Sequence, residues 1–387
     1  MKNVNVLTKI NFSKIVDADY KIPFYKNLTQ KIIEYLESNG ASSFSEIVAY
    51  VGGGERRVAR LLDQMVNLKI LRFKSPKFSL FDSKIEYKIK MSDIRCASCN
   101  SMLVDINKKI KPLIKFMEKV LLKRPKSTFV FDQRPVNIDT VARRVAYMIL
   151  RGDMQNKKIA VIGDDDFTGL ALAWTGMAKE VVVFEIDERI LNFSDMISKQ
   201  YKLNIKLRKQ NLLDKAPTNY LNYFDTFITD PTPTVKPLTL FTLRGLEMLD
   251  KVENKTGYIS LYPSHMAMNI DFQKVLNKMN ILITDLIPFL NQYEIIKEAL
   301  EESDIKLLKE YDPAEESISF YENLMRIQTT KNTKLFSHKF LPIDLLGKAT
   351  KQILKTPEID PVLREKNMPA FIKSYAKNLK VMVKHKH

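Results

Sequence analysis

The chain has 387 residues, 45% apolar and 28% charged, with two cysteines. That is long enough for two or three cores and excludes a disulfide framework. No apolar run reaches the ~18–20 residues of a membrane span, and the opening MKNVNVLTKINFSK lacks the apolar stretch of a signal peptide, which points to the cytoplasm and away from a membrane. The net charge of +17 hints at nucleic acid, but residues 1–130 carry +13, residues 331–387 carry +9, and residues 131–330 carry −5. The acidic middle favours a cationic ligand.

In chain order, Leu28, Ile32, Ile33, Tyr35 and Leu36 predict a first helix that Gly40 ends. Residues 43–50 predict a second helix, the run ERRVARLLDQMVNLKIL a third, and KILRFKSPKFSLFD a hairpin. This is the order of a winged helix, in which Arg56, Arg57 and Arg60 would face a duplex; inside an enzyme such a module more often serves dimerisation or as a lid. Cys96 and Cys99 form one CxxC, half of what a zinc site needs, and the four histidines lie far away. From residue 158 strands and helices alternate. Strands are expected at 158–162, 180–184, 205–208, 224–229, 257–261 and 280–288, and helices at 168–178, 189–200, 239–249 and 271–279. The pattern predicts a mostly parallel sheet covered on both faces. Beyond about residue 328 the chain reads as a basic, loosely ordered extension.

The first of these strands ends in Gly163-Asp164-Asp165-Asp166. Ligands of an open α/β sheet bind at the carboxyl ends of its strands. Four strand ends carry polar groups: 163–166, Glu185 with Asp187, Asn211, and Asp230. Glu185, about 20 residues past the turn, suits a pair of ribose hydroxyls. The glycine-rich dinucleotide pattern is missing, and three aspartates would repel a pyrophosphate. A nucleoside with a positive centre fits better, such as S-adenosylmethionine or its decarboxylated form, both sulfonium ions. Capping a helix explains one aspartate of the three, and Asp230 before Pro231 could be a plain turn former.

These residues resemble the branched-chain polyamine synthases of thermophiles. The match is carried by FDQRPVN (131–137), RRV (143–145), RGD (151–153), GDDD (163–166), IDERIL (186–191), FDTFITDP (224–231), LRGLEML (243–249), ITD (283–285) and NQY (291–293), and extends over about 24–300. The resemblance implies an aminopropyltransferase that moves an aminopropyl group from decarboxylated S-adenosylmethionine to a polyamine and releases methylthioadenosine. An ammonium must lose a proton before it can attack carbon, and a nearby carboxylate can hold it, orient it and accept that proton. By resemblance Asp166 contacts the attacking amine, with Asp165 and Asp164 beside it, and Asp230 is the second acceptor carboxylate. Gly163 admits the nucleoside, Glu185 with Asp187 lies on the ribose side, and Asn211 reaches the adenine edge. No metal is needed for this chemistry.

Two departures are on the donor side, where Glu185 and Asn211 each stand in place of the family's usual Asp; the others fall on the acceptor side. The family's Asp-Pro-Pro-Glu-Thr becomes Asp230-Pro231-Thr232-Pro233-Thr234, and the following loop reads Tyr262-Pro263-Ser264-His265-Met266-Ala267, which puts His265 among the acceptor-binding residues. The loss of one carboxylate suggests a shorter or less charged amine. The expected architecture is an α+β winged-helix domain with the CxxC (1–127), an α/β Rossmann-like catalytic domain of the S-adenosylmethionine-dependent transferase type (128–328) and a basic extension (329–387), assembled as a homodimer. Two rivals stand beside this reading. One is an S-adenosylmethionine-dependent methyltransferase, which three aspartates beside the donor's carboxylate disfavour. The other is a non-catalytic paralogue that binds nucleic acid through its basic flanks, less favoured because the aspartates are retained.

Overall fold

The computed structural model describes residues 9–15, 22–51, 55–81, 110–128, 131, 133–251, 253–262, 266–295 and 318–335. Cys96, Cys99, His265 and the basic extension from residue 336 lie outside them. The chain divides into two compact units, one formed by 1–101, 294–321 and 350–387, the other by 102–293 and 322–349.

The first unit contains helices α1 (Ile22–Asn39), α2 (Phe44–Val51) and α3 (Glu55–Asn67) and strands β1 (Ser42–Ser43), β2 (Leu71–Lys74) and β3 (Lys77–Leu80). The strands form an antiparallel sheet in the order β1-β3-β2. Ile32, Ile47, Val58, Leu62 and Phe78 meet in one core. Apolar residues at helical spacing on all three helices point inward, which is why the periodicity was legible. Arg57 differs from its expected place: it is buried, 6% exposed, so it does not face outward to meet a duplex.

The second unit is built on a seven-stranded sheet. Its elements are α4 (Lys111–Leu121), α5 (Ile138–Leu150), β4 (Lys158–Ile162), α6 (Thr168–Trp174), β5 (Glu180–Glu185), α7 (Glu188–Tyr201), β6 (Ile205–Lys209), β7 (Thr226–Thr229), α8 (Val235–Met248), β8 (Thr256–Leu261), α9 (Met266–Lys278), β9 (Leu282–Ile295) and β10 (Ile318–Gln328). The order across the sheet is β6-β5-β4-β7-β8-β10-β9. β4 to β8 run parallel, and β10 enters antiparallel beside β8. The central strands KIAVI and EVVVFE are almost wholly buried because helices cover both faces. β6 at the edge carries Lys206, Arg208 and Lys209, charges that discourage pairing with another chain. The parallel sheet with its crossover helices is the expected Rossmann-like architecture. The chain reverses direction across the sheet between β4 and β7, so the open crevice lies where those two strands end. Among the described residues, no helix is long and apolar enough to cross a membrane.

Candidate active site at the switch point

The turn after β4 owes its shape to Gly163, whose φ of +74° lies in the left-handed region. Its N–H donates to the Phe184 carbonyl at 2.9 Å, prolonging the β4–β5 pairing by one residue. A side chain there would also meet the Phe241 ring at 3.2 Å. Phe167, at φ +59° and fully buried, closes the turn and starts α6. A non-glycine residue in that region is strained, and the cost is met by packing against Phe193 and beneath the Arg124 guanidinium.

The three aspartates have separate surroundings. Asp164 is 1% exposed and accepts the Gly169 N–H with both oxygens, at 3.0 and 3.2 Å. It therefore caps α6, satisfying amides that a helix start leaves open. Burial, reinforced by Asp166, pushes its carboxyl well above the usual range against the pull of that amide. Asp166 also serves the helix start, accepting from the Thr168 N–H at 3.2 Å and hydroxyl at 2.8 Å. Capping thus accounts for two of the three. Asp165 is half-buried and accepts through its carbonyl from Arg124 at 3.0 Å. Its carboxyl is pushed well up by burial, then by Asp166, Asp230 and Glu185, against the pull of Arg124.

Asp166 and Asp230 come together on one cation. Arg144, 1% exposed on α5, reaches Asp166 Oδ2 through Nη1 at 2.6 Å and Asp230 Oδ2 through Nη2 at 2.5 Å. Its Nε donates to Asn291 at 2.9 Å, and Nη2 also lies 3.0 Å from the Ser260 hydroxyl. Burial alone would lower its pKa, but Asp230 and Asp166 outweigh that and keep it protonated. The reach of Arg144 is set by how α5 is docked. The Asn137 side chain caps the helix by accepting the Thr140 N–H, and the Asn137 N–H and the Thr140 hydroxyl exchange hydrogen bonds with the Gln292 backbone on β9, both at 2.9 Å. Behind Asp230, the Tyr293 hydroxyl contacts both of its carboxylate oxygens, at 2.8 and 2.9 Å, and lies 3.2 Å from Glu322 Oε2 on β10.

At the end of β5, Glu185 accepts the backbone N–H of Asp164, Ile186 and Asp187 at 2.8–2.9 Å. Burial pushes its carboxyl up although all three amides pull it down. The carboxylate is thereby locked in place, with about one of its four lone-pair sites left for a further donor. Asp187 is the N-cap of α7. It accepts the Arg189 N–H at 2.9 Å, pairs with the Arg189 guanidinium at 2.6 Å, and accepts from Gln133 at 2.8 Å. Burial would raise its pKa, but these bonds prevail and hold it below the usual carboxylate range. Asn211 is exposed and its side-chain oxygen accepts the Leu213 N–H at 3.0 Å, shaping its own turn.

Three strand ends thus converge on one crevice, with Asn211 exposed after the edge strand. Sequence reasoning about the site overlooked Arg144, Tyr293 and Glu322. The first two lie in RRV and NQY, motifs noted for the resemblance; Glu322 carried no signal. Against the six carboxyl groups of Asp164, Asp165, Asp166, Glu185, Asp230 and Glu322, the described cations that act on them are Arg144, Arg124 and Arg134. Such a negative excess in a partly dehydrated crevice attracts a cation and can take up a proton.

A family model described as the branched-chain polyamine synthase A C-terminal domain matches residues 112–344. The N(4)-bis(aminopropyl)spermidine synthase of Methanocaldococcus jannaschii is 29% identical over 340 residues, covering 86% of this chain and 88% of the relative. The N(4)-bis(aminopropyl)spermidine synthase of Thermococcus kodakarensis is 34% identical over 250 residues, covering 63% and 70%. Among solved structures, the branched-chain polyamine synthase of Thermus thermophilus in complex with N4-aminopropylspermidine and 5'-methylthioadenosine shares the fold, with a TM-score of 0.66 at 23% identity over 86% of this chain and 94% of that one. The resemblance carried by GDDD and its companion motifs is borne out: this chain belongs to the branched-chain polyamine synthase family.

Proposed function

We propose that this chain is an aminopropyltransferase that moves an aminopropyl group from decarboxylated S-adenosylmethionine to a polyamine of the spermidine type and releases methylthioadenosine. The observation that carries the reading is the carboxylate cluster at the switch point, Asp165, Asp166 and Asp230, with a single fully buried arginine between the last two. Donor and acceptor are both cations and repel each other. The cluster offsets that repulsion and brings the amine nitrogen onto the methylene beside the sulfonium.

In this mechanism Glu185 receives a ribose hydroxyl, Gly163 lets the nucleoside approach the backbone, and Asn211 offers its amide N–H₂ to the adenine edge. Asp187 supports Glu185 by fixing the start of α7. Asp166 and Asp230, joined by Arg144, together orient the attacking nitrogen, and a carboxylate of this group takes its proton before the nitrogen–carbon bond forms and the carbon–sulfur bond breaks. Asp165 and His265 serve the remaining charges of the acceptor, with Asp164 holding the turn in place. The helices and antiparallel strands of the first unit serve as a winged-helix module, and the enzyme acts as a cytoplasmic homodimer.

The donor class is tested by incubating the protein and spermidine with either decarboxylated S-adenosylmethionine or S-adenosylmethionine and following the nucleoside by chromatography. Methylthioadenosine from the decarboxylated donor alone supports the reading. S-adenosylhomocysteine from the other donor would overturn it in favour of methyl transfer.

A further inference from the structure

We propose that Tyr293 and Glu322 form a proton relay behind Asp230, carrying the proton that the acceptor amine must lose away from the reacting nitrogen. The inference rests on the aminopropyl-transfer reading above and adds two residues to it. The geometry is a chain of three groups, two on the adjacent strands β9 and β10 and one after β7, which β8 separates from them. Asp230 follows β7, Tyr293 lies on β9 and Glu322 on β10. The phenol oxygen is 2.8 and 2.9 Å from the two oxygens of Asp230 and 3.2 Å from Glu322 Oε2.

One phenol hydrogen cannot serve two carboxylates at once. When it points at Asp230, the contact with Glu322 is filled only if Glu322 supplies a hydrogen; when it points at Glu322, the contact with Asp230 is filled only if Asp230 does. The three groups are therefore built to hold and pass a proton. Exposure falls along the chain: the Asp230 side chain is 17% exposed, whereas Tyr293 and Glu322 are 3% exposed each. The inner end is shielded, so a proton arriving there is held apart from the substrate amines. The other charged groups acting on the chain are Arg144 from α5, Asp165 after β4, and Arg134 on the segment before α5. Burial, then Asp230, keeps Glu322 well above the usual carboxylate range, so its carboxyl holds a proton readily.

The step balances. The acceptor N–H bond breaks and its proton goes to Asp230; the bonding pair stays on nitrogen. Asp230 passes a proton to the Tyr293 oxygen as the phenol gives its own to Glu322 Oε2. Glu322 ends neutral, Asp230 is ionised again, and the free amine attacks carbon while the electron pair of the carbon–sulfur bond leaves with methylthioadenosine. Glu322 later loses the proton to solvent through the same chain reversed, once product has gone.

The test uses the full chain as Tyr293→Phe and, separately, Glu322→Gln, each close in shape to the parent. Single-turnover rates are followed across pH at saturating decarboxylated S-adenosylmethionine and spermidine, alongside calorimetric titration of methylthioadenosine and spermidine. The relay predicts that both variants bind the two ligands within about threefold of the parent. Both lose at least about tenfold in rate, and the acid limb of the parent's pH profile flattens in both. Parent-like rates and pH profile in either well-bound variant would overturn the relay, as would a loss of spermidine affinity with the saturated rate unchanged. If one variant cannot bind methylthioadenosine at all, the other decides the matter. A parent chain that transfers nothing to any amine would refute the function itself, and the relay with it.

Discussion

Replacing Arg144 with methionine removes the cation that Asp166 and Asp230 share, while keeping most of the side chain's apolar length. The guanidinium touches Asp166 at 2.6 Å and Asp230 at 2.5 Å and is almost fully buried. Breaking one buried ion pair by deleting a partner costs about 3–5 kcal/mol, mostly from the charge left without a counter-charge. Here two carboxylates are stranded and Asn291 loses its donor, so the expected loss is at the top of that range, about 5 kcal/mol. A typical domain has only about 5–15 kcal/mol to lose. The assay is urea denaturation followed by far-UV circular dichroism, on the parent, on Arg144→Met, and on Arg144→Met combined with Asp166→Asn and Asp230→Asn. The triple variant strands no charge and should recover more than half of the loss. Arg144→Lys should fold better than the methionine variant yet remain poorly active, since a point charge cannot span both carboxylates and Asn291. A methionine variant within about 1 kcal/mol of the parent, or a triple variant no more stable than the single one, would refute the electrostatic reasoning.

Three further expectations follow from the same site. Burial raises the Glu185 carboxyl; with its ionised form receiving the ribose as proposed, methylthioadenosine affinity measured by calorimetry should fall with acidity starting above the ordinary glutamate value of about 4.3, and should stay flat at higher pH. Asp187→Ala should cost about 1–2 kcal/mol of stability in urea through loss of the α7 cap and the Arg189 pair, whereas Asp187→Asn should keep most of the cap. Asp165→Asn should raise the Michaelis constant for the amine by about tenfold with a smaller change in turnover, if its carboxylate holds a distal ammonium rather than the attacking one.

The parts of the fold that could be read from sequence are those whose burial makes uninterrupted patterns. β4 and β5 stand between covered faces, so KIAVI and EVVVFE announce themselves. β10 does not: ISFYENLMRIQ carries Glu322, Asn323 and Arg326, all buried, and their partners are distant in sequence. Arg326 meets Asp153, 173 residues away. α4 and α5 were likewise missed; α4 carries three lysines among its apolar residues. The site shows the same division. GDDD followed by Glu185 is a local spacing and was legible. Arg144 was not singled out, because a fully buried arginine is rare and its partners lie 22, 86 and 147 residues along the chain. Arg57 misled for the converse reason, since an arginine on an amphipathic helix is ordinarily outside. Asp164 and Asp187 show how a carboxylate that reads as a ligand contact can also be a cap: both sit at helix starts, where unpaired amides want an oxygen.

The central claim is most directly tested by mass spectrometry of spermidine incubated with decarboxylated S-adenosylmethionine and the purified chain, beside Asp166→Asn. The expected result is a product heavier by one or two aminopropyl groups, one methylthioadenosine released per group, and at least about a hundredfold loss in the variant with methylthioadenosine binding intact. An unchanged amine across spermidine and its shorter and longer homologues, from a protein that still binds methylthioadenosine, would contradict it.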